Sequence, residues 1–245
     1  MFHHRADDAV QKRIFLKWYL LSFLSGNVNA GAFMATGRFV THVTGFHTLA
    51  GIDAANGAWD HVLGMLSVPI FFLAGAIISA YLVDHRFHRG LQPHYDRAMA
   101  LATVCILSAS LGGYFDFFGD FGARFNLQKD YLFLALLCLA SGLQNATLTT
   151  ASGSTVRTTH LTGITTDLGI GLVKVWSMKP GTPRTREVRA NWLRIGTVVA
   201  FTLGSMAGAT LFVHAQYLGF LLPASIAAYS TLQARREKEV HRSPM

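Results

Sequence analysis

Two short runs in this chain place hydroxyls, imidazoles and glycine at one spacing: Thr41-His42-x-Thr44-Gly45 and Thr159-His160-x-Thr162-Gly163. A threonine hydroxyl both donates and accepts hydrogen bonds, and an imidazole exchanges protons near neutral pH. Thr48 and Thr166 follow the two runs at equal distance, and Asn29 and Asn145 precede them. These residue types suit the binding of a small polar or anionic solute. For the two asparagines the sequence leaves two roles open, contact with a solute or an interhelical hydrogen bond. Asp167 is the group best placed to carry a coupling proton or cation. Its matched position is Leu49, with Asp53 one helical turn further on. His42, His47 and His160 have no carboxylate or thiolate cluster beside them, so neither a metal nor another cofactor is expected.

These residues belong to a stretch that occurs twice. Ser25–Gly26 matches Ser141–Gly142, Asn29–Ala30 matches Asn145–Ala146, and Gly37 matches Gly153. After a two-residue insertion the threonine-histidine runs match, as do Gly51–Ile52 and Gly169–Ile170. The correspondence continues in Phe72-x-x-Gly75-x-x-x-Ser79-Ala80 and Phe201-x-x-Gly204-x-x-x-Gly208-Ala209. Small residues four apart let helix backbones approach closely in a bilayer, within one chain or across a homodimer. The copies span residues 12–115 and 130–229, with tails at 1–11 and 231–245.

Composition fixes the class. Of 245 residues, 51% are hydrophobic and 14% charged, with a mean hydropathy of +0.34. Soluble domains carry about a quarter charged residues. The net charge of +8 sits in connectors and tails flanking apolar runs, not on one face, so nucleic acid is not an expected partner. Cys105 and Cys138 lie in apolar runs and form no metal or redox motif. The N-terminal segment has the cations and small residues of a cleavable leader, yet its Ser-Gly-x-x-Asn-Ala pattern recurs mid-chain; it is expected to stay as structure.

Apolar spans are expected over residues 14–36, 61–83, 98–115, 131–151, 191–213 and 216–230. Residues 39–58 and 152–176 are too polar to face lipid. Basic loops are expected at 84–97, where His85, His88 and His94 look solvated, and at 177–190, where Pro180 and Pro183 argue against helix. Gly45 and Gly163 are expected to interrupt the polar segments, with Thr44 and Thr162 capping short helices there. If the polar segments do not cross, each copy has an odd number of spans. The fold is then an all-α membrane protein of six transmembrane helices in two inverted three-span repeats, one domain over residues 1–245, with both termini cytosolic. Such repeats place solute sites where interrupted helices meet near the midplane.

The Asn-Ala element, the His-x-Thr-Gly turns and residues 161–170, LTGITTDLGI, resemble the YoaK family of bacterial integral membrane proteins, a domain of unknown function. The resemblance covers nearly the whole chain and implies six spans in the bacterial inner membrane. The first copy departs, with Thr44-Gly45-Phe46 where these proteins carry Thr-Gly-Asn. A small secondary transporter or permease is the expected function. A passive channel and a structural or partner-binding membrane protein are the rivals. No Gly-x-Ser-x-Gly, His-Glu-x-x-His or nucleophile with clustered carboxylates points to an enzyme.

Overall fold

A matched pair of glycines ends the first helix of each copy. α1 (Asp8–Thr36) stops at Gly37, with φ +68°, and α6 (Leu127–Ala151) stops just before Gly153, with φ +58°. Left-handed backbone is cheap for glycine and costly for any residue with a Cβ. The computed structural model describes residues 8–123, 125–153 and 157–240, and every regular element among them is helical. α2 (Val43–Ala55), α3 (Trp59–Leu82), α4 (Asp84–His88) and α5 (Tyr95–Tyr114) complete the first half. α7 (Leu161–Ser177), α8 (Thr182–Ala215), a 3-10 turn (Gln216–Phe220) and α9 (Leu221–Val240) complete the second. Arg124 and the ends of the tails, 1–7 and 241–245, lie outside the described residues.

Several expected boundaries move. Gly45 and Gly163 do not interrupt a helix; they lie in the first turns of α2 and α7, whose N-cap residues are His42 and His160, not Thr44 and Thr162. Amides of a first turn have no intrahelical partner anyway, so glycine there breaks nothing. The loop expected at 177–190 is short, because α8 begins at Thr182 with Pro183 in its first turn, where a missing N–H is harmless. The C-terminal tail continues as helix to Val240. Its charges find partners on other helices: Glu237 pairs with Lys17, and Lys238 reaches His94 Nδ1 at 2.7 Å and Asp96 Oδ1 at 3.1 Å. His94 is accordingly buried rather than solvated.

Contacts between helices fix their directions. α1 runs parallel to α8: Tyr19 lies against Gly196, Phe23 against Gly204 and Gly31 against Phe212. α3 runs parallel to α6, with Gly64 against Leu127, Gly75 against Leu139 and Ser79 bonded to Thr147 at 2.8 Å. The start of α1, the end of α3, the start of α5 and the end of α9 share one end of the bundle. Lys17 meets Glu237 there, Lys238 meets Asp96, and the His94 amide donates to the Leu82 carbonyl. At the other end the Gly122 amide donates to the Ala35 carbonyl, and Ser110 donates to the Tyr217 carbonyl. α1 and α6, the matched first helices, therefore run in opposite directions. α6 is anchored by a reciprocal cap: Asn126 Oδ1 accepts from the Gln128 and Lys129 amides, and Asp130 accepts from the Asn126 amide.

The polarity is that of a protein solvated by lipid. Leu63, Ile70, Leu73, Ile77 and Tyr81 form an exposed stripe along α3, and Val199, Leu203, Met206 and Val213 one along α8. Ser22, Ser25, Asn27, Ser79, Gln144 and Thr147 lie inside. A water-soluble monomer seldom exposes apolar stripes of that extent. Among the described residues, four segments are long and apolar enough to cross a membrane: Trp59–His88, Tyr95–Tyr114, Leu127–Ala151 and Thr182–Glu239, the last holding both α8 and α9. α1 is as long, but its inward face carries Ser22, Ser25, Asn27 and Asn29.

Candidate functional site

Each threonine-histidine run is tied back to the helix that precedes it. Asn29 Oδ1, on α1, accepts from the Thr41 hydroxyl at 2.8 Å and the Thr41 amide at 3.3 Å. Asn145 Oδ1, on α6, accepts from the Thr159 amide at 3.4 Å. The second tie is looser, because the Thr159 hydroxyl is buried without a partner. The matched asparagines thus clamp each helix to the loop that follows it, rather than one helix to another.

The clamps decide where the loops go. α1 ends at one end of the bundle and α6 at the other, yet His42 and His160 lie within electrostatic range of each other. Both loops therefore fold back toward the middle. Cys138, mid-way along α6, donates its thiol to the Val40 carbonyl at 3.4 Å. From there α2 and α7 depart, α2 packing on α3 and α7 on α8 rather than on one another. Irregular backbone at such depth persists in membrane proteins only where protein or a watery cavity receives its polar groups.

The two ends of the site are built differently. His42 Nε2 lies 2.9 Å from Thr44 Oγ1, and its ring meets Phe39 edge-on. Thr48 and Thr166 donate back to the Thr44 and Thr162 carbonyls, both at 3.0 Å, within their own helices. Thr44, Thr162, Gly163 and Asp167 are exposed along α2 and α7, whereas Thr41 and Thr159 are buried. The structure thus sets His42 and His160 within electrostatic range of each other and leaves Asp167 on an outward face of α7. Asp53 is half-buried and within electrostatic range of Arg38, whose guanidinium lies 4.4 Å from the Phe125 ring centre. Among the described residues no group of three metal-ligating side chains occurs.

A cleft of about 270 Å³ opens beside the second run, lined by Asn145, Ala146, Thr149, Thr150, Arg157 and His160. Asn145 and His160 are among the sequence candidates and Thr149 and Thr150 are not; for Arg157, which like Arg38 flanks its run, the sequence allows a counter-charge to an anion but favours an interfacial side chain. Counting back from the matched threonines sets Arg157 against Phe39, and counting on from the matched asparagines sets Thr149 and Thr150 against Phe33 and Met34, so none of the three has a polar counterpart in the first copy.

The small-residue faces of α3 and α8 are consumed within the chain. A Cβ on Gly75 would meet the Leu139 carbonyl, and one on Gly204 the Phe23 carbonyl. Gly51, Gly163 and Gly169, on α2 and α7, face no neighbour within 4 Å.

No curated protein and no solved structure matches the chain. Residues 18–232 match the family described as "Protein of unknown function (DUF1275)". With that match over nearly its whole length, the chain belongs to the DUF1275 family, of which the YoaK proteins are members.

Proposed function

We propose that the chain is a small secondary transporter, or permease, for a small polar or anionic solute in the bacterial inner membrane. The observation that carries this reading is that the loops of His42 and His160 start from opposite ends of the bundle, the first of them bonded through Val40 to Cys138 half-way along α6, with the two rings within electrostatic range. In inverted-repeat transporters, interrupted helices meet near the midplane and offer free backbone groups to a solute. On this reading α1, α3, α5, α6, α8 and α9 cross, while α2 and α7 enter and return, giving six spans in two inverted copies. The end that gathers Lys17, Arg86, Arg89, Arg97, Lys179, Arg184, Arg186, Arg235, Arg236 and Lys238 is cytosolic by the positive-inside rule. The start of α1 and the end of α9 lie at that end, and on this reading both termini are cytosolic.

Thr41, His42, Thr44, Gly45 and Thr48 of the first copy, and Thr159, His160, Thr162, Gly163 and Thr166 of the second, form the path, held by Asn29 and Asn145. Asp167, with Asp53, is the coupling group, and the solute undergoes no covalent change. A homodimer contact falls to the open glycines of α2 and α7. The test is charge movement and solute uptake in proteoliposomes challenged with a panel of small polar and anionic solutes. Thr162→Val and Asp167→Asn are expected to cut transport roughly tenfold or more, the loss of about 1.4 kcal/mol at the site. Unchanged transport in both variants would place the path elsewhere, and flux indifferent to ion gradients would make the protein a channel.

A further inference from the structure

The two copies line equivalent places with opposite chemistry. The cleft residues Asn145, Ala146, Thr149, Thr150, Arg157 and His160 correspond in the first copy to Asn29, Ala30, Phe33, Met34, Phe39 and His42. The first four follow from the alignment of Asn29 with Asn145 and Gly37 with Gly153; Phe39 follows by counting back from the matched threonines. In the first copy Phe33 and Phe39 stack with ring centres 4.3 Å apart, nearly parallel at 12°. Where that copy has a stacked aromatic pair, the second has a threonine, an arginine and open space.

What lines the open space is a set of donors. Asn145 is 8% exposed, and its Oδ1 already accepts from the Thr159 amide, so its amide NH2 is the part left for the cleft. The Thr150 hydroxyl, the Arg157 guanidinium and the His160 ring complete the set, and no carboxylate lines the cleft. Arg157 makes no ion pair with a described carboxylate. A guanidinium is always charged, and its planar fork matches a planar or tetrahedral oxyanion. Sites for drug-sized ligands occupy about 300–1,000 Å³; a cleft of about 270 Å³ suits a smaller solute.

We infer that the second-copy cleft is a binding site for a small oxyanion, a compact carboxylate or an inorganic oxyanion, held by Arg157 with Asn145, Thr150 and His160. The matching place in the first copy is closed by the Phe33–Phe39 stack. This inference rests on the reading that the paired loops handle a solute, and it names the class of that solute.

The test uses the full chain purified in detergent, with its thermal midpoint followed by intrinsic fluorescence. Sodium acetate, benzoate, nitrate, sulfate and phosphate are titrated at constant ionic strength against sodium chloride. At least one oxyanion raises the midpoint above the chloride reference. Arg157→Gln weakens its apparent affinity roughly tenfold or more, the scale of a lost charge-assisted bond. Thr149→Phe and Thr150→Met, which install first-copy residues, also remove the shift. Phe39→Arg leaves the affinity as it was. Unliganded midpoints show that the variants fold, and Arg157→Lys, which keeps the charge, retains part of the shift. The inference is overturned if no oxyanion raises the midpoint, or if Arg157→Gln binds as tightly as the parent. Binding through Arg157 without flux in vesicles would defeat the transport reading and leave this site standing. Flux of neutral solutes only, unchanged in Arg157→Gln, would do the reverse.

Discussion

A Cβ added to Gly142 would lie 2.1 Å from the carbonyl oxygen of Phe72. The matched residues repeat the relationship across the other helix pair, where a Cβ on Gly26 would lie 2.0 Å from the carbonyl oxygen of Phe201. Each copy's first helix is thus pressed, through its glycine, onto the third long helix counted from the opposite copy. These crossings hold α1 to α8 and α6 to α3, and they set the depth from which the two loops fold back.

Alanine at either glycine must push backbone against backbone, since no side chain is there to yield. Overpacking of this kind costs about 1–3 kcal/mol or more. Gly26→Ala and Gly142→Ala are therefore expected to lower the thermal midpoint and the yield of monodisperse protein. Gly169→Ala, whose Cβ meets nothing within 4 Å, is expected to be neutral in a monomer, or to gain up to about 1 kcal/mol of helix propensity. Equal behaviour of the three variants would mean the crossings are looser than described.

The clamps should differ in strength. Asn29→Ala strands the Thr41 amide and hydroxyl together, whereas Asn145→Ala strands only the Thr159 amide, already at 3.4 Å. Leaving a buried donor unsatisfied costs about 1–3 kcal/mol. Asn29→Ala is expected to lose more stability than Asn145→Ala in parallel thermal denaturation. The reverse order would show that the looser tie carries the loop.

Much of this was legible in residue types and spacing. Apolar runs gave the long helices, because burial in lipid selects continuous hydrophobicity, and the matched glycines marked real contacts. The helix ends were not legible. Gly45 and Gly163 carry the sequence signature of a break but sit in first turns, while Gly37 and Gly153, with positive φ, close the helices before them. Nor was the cleft. Matching the copies points to what they share, and Thr149 and Thr150 matter because their counterparts are Phe33 and Met34. Nor does the sequence show that the tail packs as helix, because Glu237 and Lys238 find partners on α1 and just before and within α5, remote in sequence.

The clamp where the end of α9 meets the start of α5 gives a pH dependence with a definite sign. His94 accepts from the Lys238 ammonium, and its pKa is held below the ordinary histidine value by burial first, then by Lys238, Arg86 and Arg97, with Asp96 opposing. A depressed histidine pKa means that the folded state prefers the neutral ring. The contribution is fully present above the unfolded value of about 6.5 and is lost as pH falls through the lower folded value. From pH 7.5 to 5.5, the protection of amides in the last turns of α9, measured against their intrinsic exchange rate at each pH, is expected to fall. In His94→Gln that pH response should flatten. A parent protein whose α9 end keeps the same protection across the range would rule this clamp out.

Sidedness offers the most direct check on the six-span arrangement. Arg89, after α4, and Phe117, after α5, are both exposed and lie at opposite ends of the bundle. The native cysteines are buried, so single exposed cysteines can be labelled selectively. In intact cells, an impermeant maleimide is expected to reach Phe117→Cys and to reach Arg89→Cys only after permeabilisation. With the start of α1 cytosolic, labelling of Arg89→Cys alone would mean that α2 crosses fully, and labelling of both from outside that α5 does not cross. The inverted pairing of the copies would then have to be abandoned, because an even number of crossings per copy gives both copies the same orientation.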